Sequence, residues 1–222
     1  MQDVARFRDL TIGGFVERLA SAEPVPGGGS ASAVAGSLAA ALVSMVAQLS
    51  RRQQLVAHSR LHDWAEGEGQ RLAALLLQLA DEDAAAYGAF AAALKMPRAT
   101  PEESEARQVA KRRSARVAAE VPLRTVEACL DVVKAAEALA GRCNLNASSD
   151  VAVASLLAEA AAEGAAENVR VNLPSLGDDP WAEEVQVRLE ELLAELQELA
   201  ESCRATVSSG AMREPIGLIA AP

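Results

Sequence analysis

A stretch without any charged residue, from Pro24 to Ser50, constrains the fold of this chain more than any other feature. Small residues recur at every fourth position within it, at Ser32, Gly36 and Ala40. The segment is long enough to cross a bilayer, but its five serines make it only weakly hydrophobic. Because a helix that is small and apolar all round is typical of the centre of a bundle, we expect a soluble core helix whose small-residue rows pack against other helices or a second subunit.

The periodicity of the whole chain predicts an all-α, single-domain bundle of about six helices and no strands. A capping box at Thr100 and an Asp179-Pro180 pair mark two of the helix starts, and a kink is expected at Pro122. The predicted helices are 11–22, 29–51, a third that is broken near Gly67 and Gly69 and ends at 96, 100–140, 148–172, and a sixth from 180. The domain is predicted to cover residues 1–206, with a flexible tail at 207–222.

Composition and charge narrow the classes of function. The chain has 222 residues and a net charge of −10, which argues against a general nucleic-acid-binding protein. Its three cysteines form no CxxC pair, and no signal segment is recognisable at the N-terminus, so a cytoplasmic location and no membrane association are expected.

Asp83 interrupts the apolar stripe of the third predicted helix. The stripe reads Leu72, Leu76, Leu79, Asp83, then Ala86 or Tyr87, Phe90 and Leu94. A carboxylate on a buried face costs free energy unless it is paired or protonated, and such groups are enriched at active sites. Asp83 is therefore either a catalytic acid or a structural acid that bridges to an arginine on a neighbouring helix.

Polar residues also interrupt the fifth helix and the loop before it. The polar residues concerned are Asn144, Asn146, Asp150, Asn168 and Asn172. Gly164 lies on the same helix face, which implies a close helix contact at that point. Asp150 alone is equally compatible with a first-turn acid favoured by the helix dipole, and the two loop asparagines with simple turn residues.

The sequence PVPGGGS places three glycines, Gly27 to Gly29, at the predicted start of the core helix. Ordering glycine costs conformational entropy, so the run implies that something approaches this backbone too closely for side chains. Backbone N–H groups at a helix start favour a carboxylate, a phosphate or a developing oxyanion. No Gly-Lys-Ser/Thr sequence follows, which excludes a Walker loop. The motif alone is equally compatible with a flexible link between helices.

His58 and His62 are four residues apart, as two metal ligands on a helix would be. The segment HSRLH lacks the glutamate of the zinc-protease motif, and no third ligand is evident. A solvated helix face is the favoured interpretation, and an unrelated helical metalloprotein is the alternative.

The order of these motifs resembles the formiminotransferase-cyclodeaminase C-terminal family, which includes stand-alone methenyltetrahydrofolate cyclohydrolases. The matching segments span residues 11 to 173 and include FVERLASAEPVPGGGSASAVAGSLAAALVSMVAQLS, DEDAAAYGAF, KMPR, AAEVPL, NLNASSDVAVAS and ENVRVNL. Two positions depart from the family pattern: Cys143 replaces a glycine, and SRRQQ replaces a lysine-rich run with tyrosine.

The resemblance implies an all-helical homodimer that acts on a tetrahydrofolate one-carbon derivative without a metal or redox cofactor. It implies that Asp83 and Asp150 are catalytic and that the folate substrate is bound by Gly27, Gly28, Gly29, Ser30, Asn144, Asn146, Asn168 and Asn172. The main expectation is formimidoyltetrahydrofolate cyclodeaminase, which releases ammonia and forms 5,10-methenyltetrahydrofolate. The alternatives are 5,10-methenyltetrahydrofolate cyclohydrolase and, in another class, a non-catalytic folate-binding helical dimer.

Overall fold

The computed structural model describes residues 6–51 and 55–216 of the chain. Six α-helices make up most of these residues: α1 Ile12–Leu19, α2 Gly28–Arg51, α3 Ser59–Leu94, α4 Pro101–Leu139, α5 Ser148–Asn172 and α6 Pro180–Ser209. Short 3-10 helices precede α1, α3 and α5 and connect α5 to α6. The described ranges contain no strand, and the prediction of an all-α bundle is confirmed.

The charge-free helix α2 lies at the centre and contacts α3, α4 and α5. Its small residues face these neighbours within the same chain: a Cβ at Gly36 would lie 2.9 Å from the sulfur of Cys129 in α4. Gly164 of α5 faces the hydroxyl of Ser32 with equally little space, as its position predicts. Within the described part of the chain, α2 is the one helix long and apolar enough to cross a membrane, and 56% of its most apolar window is buried inside the bundle.

Helix α3 is more continuous than expected, and α4 has close to its expected bounds. The break predicted near Gly67 and Gly69 is wrong, because α3 is continuous from Ser59 to Leu94. Gly69 lies instead against the backbone of α2, where a Cβ would meet the Ala40 carbonyl oxygen at 2.7 Å. Helix α4 continues through the buried Pro122 and starts with the predicted capping box.

Helix α6 continues to Ser209 and ends at Gly210, which adopts a left-handed conformation. The boundary predicted at residue 206 therefore falls inside this helix. The Arg213 N–H donates to the Gly141 carbonyl at 2.8 Å, and its side chain pairs with Glu137 at 2.6 Å. These bonds anchor the segment after α6 to the end of α4, whereas residues 217–222 of the predicted tail lie outside the described residues.

Helices α2 and α5 run antiparallel, which determines where the polar motifs of the sequence meet. The start of α2 lies beside the end of α5, where a Cβ at Gly28 would be 3.5 Å from Asn168 Nδ2. At the opposite end, the Asn144 N–H donates to the hydroxyl of Ser50 at 2.9 Å. The bundle consequently has two polar ends, separated by about 33 Å along α2 at the usual rise per residue.

Candidate active site

A cavity of about 400 Å³ opens at the end of the bundle where α2 begins. The glycine loop, α3, α4 and the end of α5 form its walls. The lining residues are Pro24, Val25, Gly27, Gly28, Gly29, Asp83, Tyr87, Phe90, Ala118, Asn168, Val171, Asn172 and Ser175. Six of the ten predicted site residues therefore line this one cavity: the three glycines, Asp83 and the two asparagines of α5.

Asp83 is the one carboxyl group on this cavity wall. Its Oδ2 accepts a hydrogen bond from the Ser30 hydroxyl at 2.8 Å. Ser30 itself is fully buried and does not line the cavity, so its hydroxyl contacts Asp83 and the Ala80 carbonyl rather than the space for a ligand. The structure thus places Ser30 behind the acid, one layer away from the position expected of a substrate-binding residue.

The glycine run allows the carboxyl group of Asp83 to pack against the start of α2. A Cβ built on Gly29 would lie 2.6 Å from the carboxyl carbon of Asp83, a separation that side chains do not tolerate. The carboxyl group therefore packs directly against the first turn of α2, near the positive end of that helix dipole. All three glycines border the cavity, and Gly29 also makes room for an acid of the same chain.

Asp83 has no basic partner among residues 6–51 and 55–216. The ion pairs found among the described residues do not include it, so the structural alternative of a bridge to an arginine is not what the fold contains. Burial raises the pKa of the Asp83 carboxyl above its ordinary value, while hydrogen bonds from the Ser30 side chain and backbone oppose that rise. A carboxyl group with a raised pKa is suited to proton transfer near neutral pH.

Asn168 and Asn172 of α5 line the same cavity. The Asn168 side-chain nitrogen donates to the Gly164 carbonyl at 2.8 Å. That of Asn172 donates to the carbonyls of Ala118 and Asn168, at 2.9 and 2.7 Å. Both amide N–H groups of Asn172 are thus used by backbone acceptors, which leaves its amide oxygen to accept from a ligand, whereas Asn168 keeps one amide N–H as well as its oxygen.

Two aromatic side chains complete the cavity and had been predicted as core residues. Tyr87 follows Asp83 by one helical turn and is 46% exposed, and Phe90 lies a further turn along α3. The predicted stripe offered Ala86 or Tyr87 at this turn, and Ala86 is the one in the core, at 3% exposed. Phe90, predicted as a core residue, is partly exposed and lies on the cavity wall. The signal was present in the sequence: an aromatic pair spaced with an acid at 83, 87 and 90 on one helix face.

Asn144, Asn146 and Asp150 do not join this cavity within one chain. They lie at the other polar end, and Asp150 is about 27 Å from Asn168 along α5 at the usual helical rise. Asn144 caps the 3-10 helix before α5 by accepting the Asn146 N–H at 2.9 Å, and it is almost fully buried. The ten predicted site residues thus form two clusters rather than one.

The two histidines are buried, so the predicted solvated helix face is wrong. His62 is fully buried, with Nε2 2.8 Å from the Arg142 carbonyl oxygen, and His58 is 8% exposed. Their ring centroids are 6.1 Å apart. Across residues 6–51 and 55–216, no group of three His, Cys, Asp or Glu side chains is arranged to hold a metal ion.

Both the sequence and the fold of this chain are similar to those of known proteins. The sequence matches the formiminotransferase-cyclodeaminase family over residues 11–191. It is 38% identical to the methenyltetrahydrofolate cyclohydrolase of Methylorubrum extorquens over 201 residues, which cover 90% of this chain and 96% of that protein. It is 36% identical to the formimidoyltransferase-cyclodeaminase of Mus musculus over 196 residues, but spans 35% of that longer protein. The crystal structure of formiminotetrahydrofolate cyclodeaminase from Thermotoga maritima matches with a TM-score of 0.76 and 25% identity, covering 91% of this chain and 96% of that one. The chain belongs to the formiminotransferase-cyclodeaminase family.

Proposed function

We propose that this protein is a formimidoyltetrahydrofolate cyclodeaminase in which Asp83 transfers the proton between nitrogen atoms. The observation that carries the proposal is the Asp83 carboxyl group on the cavity wall, held by Ser30 and without a basic partner. A carboxylate in an ion pair would be fixed in its charged form. A partly buried carboxyl without an ion pair in the described part of the chain exchanges its proton more readily near neutral pH.

The reaction moves one proton and needs no metal or redox cofactor. The formimidoyl group reacts as its amidinium cation, N5–CH=NH2+. N10 of the substrate attacks the formimidoyl carbon on N5, and the N10 proton passes to the Asp83 carboxylate. The same carboxyl group then protonates the amino group on that carbon, the C–N bond breaks, and ammonia leaves. The product is the 5,10-methenyl cation, so atoms and charge balance with Asp83 returned to its starting form.

The cavity walls suit the pterin end of the substrate. Tyr87 and Phe90 offer aromatic surface for a flat ring. The amide oxygens of Asn168 and Asn172 are acceptors for the N–H groups on the edge of the pterin. No lysine or arginine lines the cavity in the described part of the chain, so we place the anionic glutamate tail outside it.

The second candidate is methenyltetrahydrofolate cyclohydrolase. It is favoured by the relative of that name, which matches this chain over 96% of its own length. In that reaction the ionised Asp83 accepts a proton from the water that attacks the methenyl carbon.

One experiment separates these candidates. The purified protein is incubated with each substrate while methenyltetrahydrofolate absorbance and ammonia release are followed. Absorbance gain with equal ammonia release supports the cyclodeaminase, and absorbance loss without ammonia supports the cyclohydrolase. Binding of both folates with turnover of neither would contradict the enzymatic proposal and favour a non-catalytic folate-binding dimer.

The exposed side of α2 supports the proposal of a homodimer. Leu38 is 54% exposed and Met45 37%, although no charged residue lies on this helix before Arg51. The partly or fully exposed residues form one stripe: Ala31, Val34, Ala35, Leu38, Ala41, Leu42, Met45, Gln48 and Leu49. We propose that a second copy of this chain covers the stripe. Two uncharged stripes of this length can pack against each other without burying a charge.

Antiparallel pairing of two α2 helices would also account for the divided site. A two-fold axis across the middle of α2 places the start of one helix beside the end of the other. Asn146 and Asp150 of the partner subunit then lie near the cavity that holds Asp83. The predicted site residues would be brought together by assembly rather than by the fold of one chain.

A cytoplasmic location is part of the proposal. The three cysteines are free and buried, and folate one-carbon chemistry of this kind uses soluble substrates. The net charge of −10 argues against nucleic acid as a partner.

A further inference from the structure

The Ser30 hydroxyl has one proton to donate and two acceptor atoms within hydrogen-bond distance. Its Oγ lies 2.8 Å from Asp83 Oδ2 and 3.1 Å from the Ala80 carbonyl oxygen, and the residue is fully buried. A hydroxyl donates one hydrogen bond but accepts as well. The hydroxyl can therefore form a hydrogen bond with Asp83 in either protonation state, provided that a second acceptor is available for its own proton.

We propose that the Ser30 hydroxyl is a reversible hydrogen-bond partner that lets Asp83 alternate between its ionised and protonated forms. When Asp83 is ionised, the Ser30 O–H donates to Oδ2. When Oδ2 carries a proton, that proton is donated to Ser30 Oγ, and the Ser30 O–H turns to the Ala80 carbonyl. No bond is broken at serine, and no buried polar atom loses its partner in either state.

This role rests on the proposed function, because an acid–base group must pass through both forms in each turnover. An unsatisfied buried hydroxyl or carboxyl would disfavour one form and slow the step that needs it. Ser30 acts through Asp83 and not on the folate, since it is buried behind the acid and does not line the cavity. It is a positioning residue.

The other groups around Asp83 leave this role to Ser30. Helix α2 carries no charge before Arg51. On α3, Asp81 accepts the Phe7 N–H at 2.8 Å, and Glu82 pairs with Arg124 of α4 at 2.6 Å, so both are engaged elsewhere. The remaining polar groups that share the cavity wall with Asp83 are Tyr87 on its own helix, Asn168 and Asn172 on α5, and Ser175 in the 3-10 helix that follows α5.

A second serine on the same helix pair provides an internal comparison. Ser37 lies two turns further along α2, is 6% exposed, and donates to the Ala73 carbonyl of α3 at 3.0 Å. Its environment repeats the Ser30–Ala80 contact without a carboxyl group. Ser37→Ala therefore reports what the loss of one buried serine–carbonyl bond does to the bundle.

The test compares Ser30→Ala, Ser30→Thr and Ser37→Ala in the full chain. The readouts are the melting temperature, the pH dependence of kcat, and the pKa of Asp83 measured by carboxyl ¹³C NMR without substrate. We expect Ser30→Ala to lower kcat at least tenfold and to raise the pKa of Asp83, because the bond that Ser30 donates to the ionised form is stronger than the bond it accepts from the protonated form. Ser30→Thr keeps the hydroxyl and should restore both, and Ser37→Ala should lower only the melting temperature.

Two further variants complete the test. In an Asp83→Asn background, Ser30→Ala should have no additional effect on kcat, because the partner through which it acts is gone. If Ser30→Ala does not fold, Ser30→Cys replaces it, since a thiol fills the space but is a weak donor and acceptor.

The NMR measurement separates this inference from the proposed reaction. An unchanged pKa of Asp83 in Ser30→Ala overturns the inference even if the enzyme is a cyclodeaminase. A shifted pKa supports the hydrogen-bond role even if neither folate substrate is turned over. An equal loss of kcat in the wild-type and Asp83→Asn backgrounds would also overturn it, because Ser30 would then act directly on the substrate.

Discussion

The carboxyl group of Asp83 lies against the Cα of Gly29, so closely that a Cβ on residue 29 would be 2.6 Å from the carboxyl carbon. This contact explains why a glycine stands at the third position of the run. The start of α2, which the sequence predicts to favour an anionic ligand, already contacts the carboxyl group of Asp83 from its own chain. The run is therefore neither a plain linker nor only a substrate loop, since Gly28 faces the cavity while Gly29 holds the acid close to α2.

The neighbouring glycines should respond differently to the same substitution. Gly29→Ala should displace Asp83 and reduce kcat by roughly a hundredfold, the usual scale for losing a general acid or base. Gly28→Ala should be tolerated, because its Cβ would meet Asn168 Nδ2 at an ordinary 3.5 Å. Steady-state kinetics of both variants, with circular dichroism to verify folding, measure this difference. Equal activity of the two variants would contradict the placement of Asp83.

Asp83→Asn should separate catalysis from stability. The side chain keeps its size but cannot exchange a proton, so kcat should fall by roughly a hundredfold or more. Folate affinity should change little, and stability should not drop, because no basic partner is left unpaired. Asp81→Asn is the matched control: Asp81 binds the Phe7 N–H, so this change should lower the melting temperature and leave kcat nearly intact. A large loss of stability in Asp83→Asn with full activity would refute the catalytic assignment.

The stability of the wild-type protein should also depend on the charge of Asp83. Because burial raises the pKa of Asp83 in the folded state, the folded chain holds this proton to higher pH than the unfolded chain does. The contribution of this carboxyl to stability is thus fully present below its unfolded pKa and is lost as pH rises through the folded value. The melting temperature of Asp83→Asn relative to wild type should therefore rise between acidic and neutral pH. A difference that does not vary with pH would show that Asp83 titrates normally.

The sequence was sufficient for the elements that depend on local pattern and burial. The six helices, the capping box at Thr100 and the central position of α2 follow from periodicity and composition. It was insufficient for partners that are distant in the chain. Neither Asp83 against Gly29 nor Ser30 behind Asp83 has a local signature, because each contact depends on how α2 and α3 cross.

The divided site was missed for a related reason. Asn144 and Asp150 were grouped with Asn168 and Asn172 because they share a helix face or precede it. A helix face is long, however, and its ends are about 27 Å apart at the usual rise per residue. Periodicity assigns residues to a face, but it contains no information on which neighbouring element lies beside each end of that face.

Two neighbouring positions on α2 should distinguish folding from assembly. Gly36→Leu should destabilise the single chain by about 1–3 kcal/mol or more, because its side chain would enter the contact with Cys129 and Leu76. Leu38→Glu places a charge on the exposed stripe and should leave the fold intact while preventing dimerisation. Light scattering at micromolar concentration and thermal unfolding measure the two effects. A wild-type protein that is monomeric in this assay would contradict the homodimer.

Mixing two inactive variants tests whether the cavity is completed by a partner. If Asp83 of one chain works with Asp150 of the partner subunit, Asp83→Asn and Asp150→Asn should each be inactive alone. An equal mixture, unfolded and refolded together, forms mixed dimers in about half of the molecules, and each of these has one cavity with both native acids. Activity should then return to roughly a quarter of the wild-type value, as expected for two equivalent sites related by a two-fold axis. The control is the same mixture of Asp83→Asn and Asp150→Asn with Leu38→Glu added to both chains, which should stay inactive because dimerisation is prevented. If Asp150 serves the cavity of its own chain or serves only the start of α5, mixing will restore nothing beyond the sum of the two separate activities.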